Sequence, residues 1–289
     1  MRTVDDWQDY KILATSEGMK LERWKDVILL RPDPQVIWKG GDLYGRKGIH
    51  AVYRRSEKGG GGWDVRAQFP AEWTVCYRDL KFKIKPMGFK HTGLFPEQAV
   101  NWNAMRALIE NARAQGREVK VLNLFAYTGG ASVACAKSGA TVTHVDAAKG
   151  MVERAGENAR LSGVDSGIRY IVDDCMKFVA REIRRGNRYD AVIMDPPSYG
   201  RGPNGETWKI EENLFSFVSD CAKLLVDNPL FFLINSYTTG LQPEVLKNIL
   251  TLTLGGFEGV TEAYEVGIPT DEGINLPCGA SGLFTGRRL

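Results

Sequence analysis

The spacing of apolar and polar residues changes character near residue 91. Residues 20–85 contain short β-type segments separated by breaks rich in proline and glycine, such as Arg31-Pro32-Asp33-Pro34. From residue 91 onward, helical stretches alternate with short apolar runs, which is typical of β-α-β units and a parallel sheet. We therefore predict a small β-rich domain at 1–90 and a larger doubly wound α/β domain at 91–289.

The apolar runs of the second part predict its strands in chain order. They read VKVLNLFA (119–126), TVTHVDA (141–147), IRYIV (168–172), DAVIMD (190–195) and LFFLINS (230–236). Helices are predicted between them, the first beginning near Pro96 and ending at Gly116. The carboxyl ends of such strands meet at one edge of the sheet, where α/β proteins bind their ligands.

Composition excludes several classes of protein. The chain has 289 residues, 43% hydrophobic and 25% charged, which is typical of a globular protein and not of a disordered or collagen-like chain. The charged start of the chain, and the lack of any apolar run near ~18 residues, predict neither export nor a membrane span. Cysteines and histidines are scattered, without a CxxC pair or a metal-ligand cluster. We expect a reduced, cytoplasmic protein without a bound metal.

Positive charge is concentrated at the start of the chain. Residues 1–90 hold 18 Lys and Arg against 12 Asp and Glu, whereas the whole chain has a net charge of only +3. The same segment carries five of the seven tryptophans. Basic residues interleaved with aromatic ones suit a nucleic acid, whose phosphates attract cations and whose bases stack on rings. A small core of tryptophans under a solvated basic surface explains the composition equally well.

A turn of small residues follows the first predicted strand of the α/β domain. It reads Phe125-Ala126-Tyr127-Thr128-Gly129-Gly130, and a helical stretch comes after it. Small residues at this place let a nucleotide-like ligand lie against the backbone. The segment does not match the GxGxxG pattern of dinucleotide-binding proteins, and a tight β-to-α turn without a ligand remains an alternative.

Acidic residues stand at the ends of the next two predicted strands. Asp146 ends the second strand, where a carboxylate can accept both hydroxyls of a ribose. Asp173-Asp174-Cys175 ends the third strand, where a carboxylate can accept from the exocyclic amine of an adenine. Each acid alone could instead cap a helix, but their shared register favours a ligand site.

The fourth predicted strand ends in Asp195-Pro196-Pro197-Ser198-Tyr199. Two consecutive prolines restrict the backbone and cannot donate hydrogen bonds, so the carbonyls of Asp195 and Pro196 can serve as rigid acceptors for an amine or a base edge. Tyr199 adds a ring on which a flipped-out base can stack. We predict that this segment is catalytic.

These motifs together resemble the class I S-adenosylmethionine-dependent methyltransferases, most of all the family that methylates bases of large-subunit ribosomal RNA. The resemblance covers roughly residues 85–289 and rests on HTGLFPEQ, NLFAYTGGASVACAKSGA, THVDAAKG, ERAGENARLSG, VDDC, YDAVIMDPPSY and LPCGASG. It implies a Rossmann-like sheet, mostly parallel with an antiparallel last strand. No N-terminal PUA-type RNA-binding domain is recognisable in the sequence.

The resemblance also implies residue roles toward S-adenosylmethionine and its product S-adenosylhomocysteine. Asp195, Pro196, Pro197 and Tyr199 would be catalytic, with Asp195 beside the transferred methyl group. The implied cofactor contacts are Phe95, Gln98, Phe125, Ala126, Tyr127, Thr128, Gly129, Asp146, Ala147, Asp174, Cys175 and Asp195. Asn158 would be a structural residue of the second helix, with an ordinary solvent-facing asparagine as the alternative.

The residue after the fifth strand bears on which base atom is methylated. Cytosine-C5 members of the family need a thiolate that adds to the base, and their cysteine lies just after that strand. Here the place reads Ser236-Tyr237, and the proline pair is followed by Ser198, so we favour transfer to a base nitrogen. Cytosine-C5 chemistry that recruits the distant Cys278 stays open as an alternative.

Other classes of function share parts of this pattern. A methyltransferase for a small molecule or a protein would keep every cofactor residue and differ only in residues 1–90. A nicotinamide-dependent oxidoreductase would share the first turn and Asp146 but has no need of the proline pair. A non-catalytic RNA-binding module has no chemical reason to keep the acids. The favoured partner is ribosomal RNA, and the oligomeric state is left open, with a homodimer as one option.

Overall fold

The computed structural model describes residues 1–56, 60–88, 90–201 and 207–287. The chain divides into two compact units, Met1–Ala99 with Gly267–Cys278, and Val100–Val266 with Gly279–Leu289. The domain boundary predicted at residue 90 stays a prediction. The sequence-based prediction places Gly267–Cys278 in the α/β domain, because no local pattern marks these residues as belonging with the start of the chain.

The first unit is rich in β-strands. Its strands are β1 (Arg2–Thr3), β2 (Tyr10–Ser16), β3 (Met19–Trp24), β4 (Val27–Pro32), β5 (Ala51–Arg55), β6 (Gly61–Val65), β7 (Trp73–Tyr77) and β8 (Leu80–Ile84). The larger sheet has the order β2-β3-β4-β5-β6, and β7 pairs with β8. β4 and β5 run parallel, which requires the long connection between them, and the other neighbours are antiparallel.

Tryptophans of the first unit serve its packing. Trp24 is fully buried and Trp7 nearly so, and the Trp7 ring lies 4.6 Å from that of Tyr77. Trp63 is half-buried and donates its indole N–H to the Met87 carbonyl at 2.7 Å. Trp73 donates likewise to the Trp24 carbonyl at 3.1 Å. The structure therefore supports the alternative that these tryptophans form part of a small core.

The second unit is an α/β sheet with helices between its strands. The strands are β9 (Lys120–Leu124), β10 (Thr141–Asp146), β11 (Ile168–Val172), β12 (Ala191–Met194), β13 (Tyr199–Arg201), β14 (Thr207–Lys209) and β15 (Phe231–Ser236), together with β16 (Gly259–Pro269) up to Val266 and β17 (Asn275–Gly286) from Gly279 onward. The helices are α1 (Ala99–Ala114), α2 (Gly130–Lys137), α3 (Lys149–Ser162), α4 (Cys175–Arg185), α5 (Ile210–Ala222) and α6 (Pro243–Thr253).

The strand order of the central sheet confirms the predicted fold class. Within the second unit the order is β16-β17-β15-β12-β9-β10-β11. β9 pairs in parallel with both β10 and β12, and β17 runs antiparallel to β15. After β9 the chain builds β10 and β11 on one side, and β12 then returns to the other. In open α/β sheets ligands bind at such a reversal, beyond the carboxyl ends of the strands, which here are those of β9 and β12.

The predicted elements differ from the structure in two places near the site. The first helix was expected to begin near Pro96, but Pro96–Gln98 forms a 3₁₀ turn and α1 begins at Ala99. The pair β13–β14, directly after the proline pair, was not predicted, because each strand is only three residues long. Among the described residues, no helix is long and apolar enough to cross a membrane.

Candidate active site

The loop after β9 has an unusual backbone. Phe125 and Tyr127 have φ angles of 53° and 50°, a left-handed conformation that costs energy for residues with a Cβ. Two hydrogen bonds hold the loop against β10, from Ala126 N to the Val145 carbonyl at 3.1 Å and from Tyr127 N to Asp146 Oδ2 at 2.8 Å. Backbone strain maintained in this way is common where a loop has to meet a ligand.

The two glycines after this loop are required by the packing of helices. A Cβ on Gly129, whose φ is 82°, would lie 2.8 Å from the Cβ of Ala155 in α3. A Cβ on Gly130 would lie 2.8 Å from Cζ2 of Trp102 in α1. From the sequence alone, a ligand explains the small residues. In the structure, helix packing alone leaves no room for a Cβ at either position.

Asp146 organises the edge between β9 and β10. Its Oδ2 accepts from Tyr127 N, and its Oδ1 accepts from Ala148 N, both at 2.8 Å. Each oxygen of a carboxylate has room for about two hydrogen bonds. Asp146 is half-buried, so the same carboxylate can still accept from a ligand.

At the end of β11, the acids have structural partners. Asp174 caps α4, with its Oδ1 accepting from Lys177 N at 2.9 Å, which is the helix-cap alternative considered above. Asp173 forms an ion pair with Arg181. The Cys175 Sγ accepts from Phe125 N at 3.3 Å, and burial raises the pKa of the Cys175 thiol, so it stays protonated.

Beyond β12, the chain turns at the proline pair. Asp195 is half-buried and its Oδ1 accepts from Asn235 Nδ2 at 3.0 Å. Pro196 is buried and Pro197 exposed, and the Pro197 carbonyl accepts from Trp208 Nε1 at 2.6 Å. The β14 residue Trp208 therefore fixes the proline segment from one side.

Tyr199 is the exposed aromatic residue of this segment. Its side chain is 51% exposed, and its hydroxyl accepts from Arg201 Nε at 2.7 Å. The Arg201 guanidinium lies 5.9 Å from the centre of the Tyr199 ring. A cation beside an accessible ring is suited to a phosphate and a stacked base.

Several predicted ligand residues have their side chains in the core instead. The Phe125 ring packs against Trp208 and Phe217, with ring centres 5.3 and 5.8 Å away. Thr128 is 1% exposed, and its carbonyl accepts from Asn158 Nδ2 at 2.9 Å. At Phe125 and Thr128, the loop would therefore contact a ligand through its backbone atoms. Asn158 is structural, as the resemblance implied.

A buried polar group supports the loop from behind. Ser132 Oγ lies 3.0 Å from His144 Nδ1 and accepts from Asn123 Nδ2 at 2.9 Å. Burial lowers the pKa of His144 to about 4, so the imidazole is neutral at pH 7. Sequence reasoning missed these residues, because no motif joins them.

Strand register brings the predicted site residues of the second unit to one edge. Leu124 pairs with Val145 and with Met194, and Asp146 pairs with Val172. The chain therefore continues from all four strands at the same end of the sheet, into the loop after β9, Asp146 and the exposed Ala147, Asp174 and Asp195. Phe95 and Gln98 belong to the first unit, and their cofactor contact stays a prediction.

Comparison with known proteins supplies the family. A family model for S-adenosylmethionine-dependent methyltransferases matches residues 44–234. The chain belongs to this family. A crystal structure of the SAM-dependent methyltransferase from Agrobacterium tumefaciens is 31% identical, covers 99% of this chain and 93% of its own, and superposes with a TM-score of 0.91.

Two further relatives extend the comparison. The ribosomal RNA large subunit methyltransferase K/L of Shewanella frigidimarina is 30% identical over 231 residues, which are 76% of this chain and 29% of that protein. The chain thus corresponds to about a third of its curated relative. A Streptococcus mutans protein described as a candidate methyltransferase, 18% identical and covering 97% of this chain and 76% of its own, shares the fold with a TM-score of 0.74.

The carboxylate acceptors of this methyltransferase fit its cofactor, S-adenosylmethionine. The Asp146 carboxylate, already oriented by Tyr127 N and Ala148 N, can accept two ribose hydroxyls. Asp174 offers a second carboxylate on the neighbouring strand end, for the adenine amine. Among the described residues, no group of three or more His, Cys, Asp or Glu side chains could hold a metal ion.

Cys278 is the cysteine that the sequence left as a distant nucleophile. It belongs to the first unit, and its Sγ donates to the Leu276 carbonyl at 3.5 Å. Burial, together with the Glu97 carboxylate, raises the pKa of the Cys278 thiol far above its ordinary value. A protonated thiol is a poor nucleophile.

We therefore expect Cys278→Ser to retain at least half of the methyl-transfer rate, because the oxygen replaces a sulfur that only donates to a backbone carbonyl. The measurement is incorporation of labelled methyl groups by wild type and variant at equal concentration. Complete loss of incorporation by a folded Cys278→Ser protein would point back to cytosine-C5 chemistry.

Proposed function

We propose that this methyltransferase acts on RNA and transfers the methyl group of S-adenosylmethionine to a base nitrogen, with large-subunit ribosomal RNA in the cytoplasm as substrate. The observation that carries the proposal is the Asp195-Pro196-Pro197 segment. It ends β12 next to the loop after β9, and it is fixed by Asn235 on one side and Trp208 on the other.

Nitrogen methylation needs little covalent help from the protein. Bound S-adenosylmethionine supplies the methyl group on a positively charged sulfur, and transfer is a direct displacement by the base nitrogen. The Asp195 carboxylate would accept a hydrogen bond from the N–H of the base and hold the nitrogen in line with the methyl group. As the nitrogen–methyl bond forms, the methyl–sulfur bond breaks to leave S-adenosylhomocysteine, and the N–H proton passes to Asp195 and from there to solvent. Tyr199 stacks on the base, since its ring is accessible.

The absence of a thiol near the segment supports nitrogen over carbon. The residues after β15 are Tyr237 and Thr238, and Thr238 Oγ1 lies 2.6 Å from Ser198 Oγ. Hydroxyl groups do not add to a cytosine ring as thiolates do. The Cys175 thiol at the start of α4 is protonated, and its sulfur accepts a hydrogen bond from the loop backbone.

A basic surface on the first unit supports an RNA acceptor. Tyr44 is 45% exposed, the Arg54 guanidinium lies 5.8 Å from its ring centre, and Arg66 Nη1 donates to its carbonyl at 2.9 Å. Arg46 and Lys47 follow in the same exposed loop. We call these five residues the Tyr44 patch. Arg54 and Arg66 both pair with the Asp64 carboxylate, but the four cations of the patch outnumber it. An accessible ring beside this excess of positive charge matches the phosphates and bases of RNA.

The name of one relative supports large-subunit ribosomal RNA as the class of RNA proposed here. The Shewanella frigidimarina protein is named for ribosomal RNA of the large subunit. This chain matches only 29% of that protein, so the substrate is part of the proposal and not of the family assignment.

The test is the salt dependence of binding and transfer with purified large-subunit ribosomal RNA. We expect affinity to fall about 10-fold or more between 50 and 200 mM salt, because contacts with phosphates release counterions. The double variant Arg46→Ala/Lys47→Ala should flatten this dependence. Lys39→Ala, which removes an exposed lysine of the same unit, is the matched control. Salt-insensitive turnover on a small acceptor, with no transfer to RNA, would replace the RNA proposal by the small-molecule one.

A further inference from the structure

A continuous line of hydrogen bonds runs through the second unit to Asp195. Tyr264 Oη donates to Asn101 Oδ1 at 2.8 Å, and Asn101 Nδ2 donates to Ser281 Oγ at 3.0 Å. Ser281 Oγ donates to Asn235 Oδ1 at 2.9 Å. Asn235 Nδ2 then donates to Asp195 Oδ1 at 3.0 Å. We call Tyr264, Asn101, Ser281 and Asn235 the Asp195 relay.

The relay is buried and comes from separate elements. Asn101 lies in α1, Tyr264 in β16, Ser281 in β17 and Asn235 in β15. Asn101 and Ser281 are 0% exposed, Asn235 1% and Tyr264 7%. Asn235 and Ser281 are direct partners in the antiparallel register of β15 and β17. A polar group that loses its partner in such a place has no water to replace it, so each bond is costly to break.

The ionised carboxylate of Asp195 determines the direction of every bond in the relay. It can only accept, so Asn235 must present its NH₂ group to it and its oxygen to Ser281. Ser281 must therefore donate to Asn235 and accept from Asn101. The Asn101 oxygen then faces Tyr264, which donates. All four dipoles point their positive ends toward Asp195, and such aligned bonds strengthen one another.

We propose that the members of the Asp195 relay are positioning residues, which hold the Asp195 carboxylate in the one orientation that methyl transfer needs. The inference rests on the proposed role of Asp195 toward the acceptor base. Without the Ser281 hydroxyl, the Asn235 oxygen loses its donor, and the Asn235 amide is held only by its bond to Asp195. The amide can then move together with the carboxylate, so Asp195 is no longer fixed in one orientation.

The test is Ser281→Ala, which removes the hydroxyl and leaves the Cβ in place. We expect kcat for methyl transfer to large-subunit ribosomal RNA to fall about 10-fold, and KM for S-adenosylmethionine to stay within about twofold, because orientation and not cofactor binding is lost. Ser281→Thr, which keeps a hydroxyl, should recover most of the rate. In an Asp195→Asn background, Ser281→Ala should reduce kcat little further, since the relay acts through Asp195.

Two tyrosine variants form a matched pair that leaves no cavity. Tyr264→Phe removes the first donor of the relay and should lower kcat measurably. Tyr189→Phe removes an equally buried hydroxyl, which donates to Glu182 Oε2 at 2.7 Å outside the relay, and should leave kcat unchanged. Equal effects of the two variants would mean that loss of any buried hydrogen bond is enough, and would overturn the inference.

A crystal structure of Ser281→Ala separates this inference from the proposed function. We expect the Asp195 carboxylate in one orientation in the wild type and in more than one in the variant, whatever the acceptor is. If that holds while the wild type transfers no methyl group to ribosomal RNA, the substrate proposal fails and the inference stands. If Asp195 keeps its single orientation in the variant, the inference is wrong, whether or not kcat falls.

Discussion

Asp146→Ala is expected to weaken binding of S-adenosylmethionine about 100-fold, the largest effect on the cofactor that any single change should have. The variant loses the carboxylate proposed to accept two ribose hydroxyls, and hydrogen bonds to a charged group contribute about 1.5–3 kcal/mol each. It also removes the carboxylate that accepts from Tyr127 N and Ala148 N, so the strained loop after β9 keeps only one of its two hydrogen bonds to β10, that from Ala126 N. Titration calorimetry measures the change directly.

A matched variant shows whether the effect belongs to the site. Asp165 also accepts a hydrogen bond, from Tyr170 Oη at 2.9 Å, but it precedes β11 and so lies at the amino end of the strands. Asp165→Ala should leave cofactor affinity unchanged. Unaltered affinity in folded Asp146→Ala, or tight binding of a nicotinamide dinucleotide by the wild type, would contradict the assignment of the site.

Asp195→Asn should reduce kcat about 100-fold while cofactor affinity changes by less than about threefold. The amide keeps the shape of the side chain and can still accept from Asn235 through its oxygen. Its NH₂ group, however, then faces the acceptor base where a carboxylate oxygen stood, and a donor cannot hold the base N–H. Single-turnover transfer of a labelled methyl group separates this loss from slow product release.

The control for this variant is again a change at the opposite end of the sheet. Asp165→Asn should transfer methyl groups at the wild-type rate. A folded Asp195→Asn protein with an undiminished rate would show that Asp195 does not contact the acceptor, and the catalytic role would have to pass to other residues of the edge.

Much of the α/β architecture follows from local patterns. The central parallel strands β9, β12 and β15 are buried on both faces, so they stand out as apolar runs. The acids that end the parallel strands share an edge because parallel strands end together. This is why the placement of Asp146, Asp174 and Asp195 could be inferred before any coordinates. The resemblance to a methyltransferase family added the cofactor.

The rest depends on contacts between distant parts of the chain. Asn101 and Ser281 form a hydrogen bond although 180 positions separate them, and neither lies in a pattern that marks it as polar and buried. Ala155 and Trp102, which only helix packing brings near, leave no room for a Cβ at Gly129 and Gly130. The cofactor contact predicted for Gly129 stays a prediction. Single-sequence periodicity carries no information on such pairings.

Mass spectrometry of nucleosides is the most direct test that this protein methylates a base nitrogen of large-subunit ribosomal RNA. Large-subunit ribosomal RNA would be isolated from cells with and without this protein, digested and compared. We expect one nucleoside with a methyl group on a base nitrogen to be missing from the RNA of cells without the protein. This nucleoside should return when the purified protein and S-adenosylmethionine are added to that RNA. Identical nucleoside profiles in both RNAs, or a missing 5-methylcytidine in place of a nitrogen-methylated base, would contradict it.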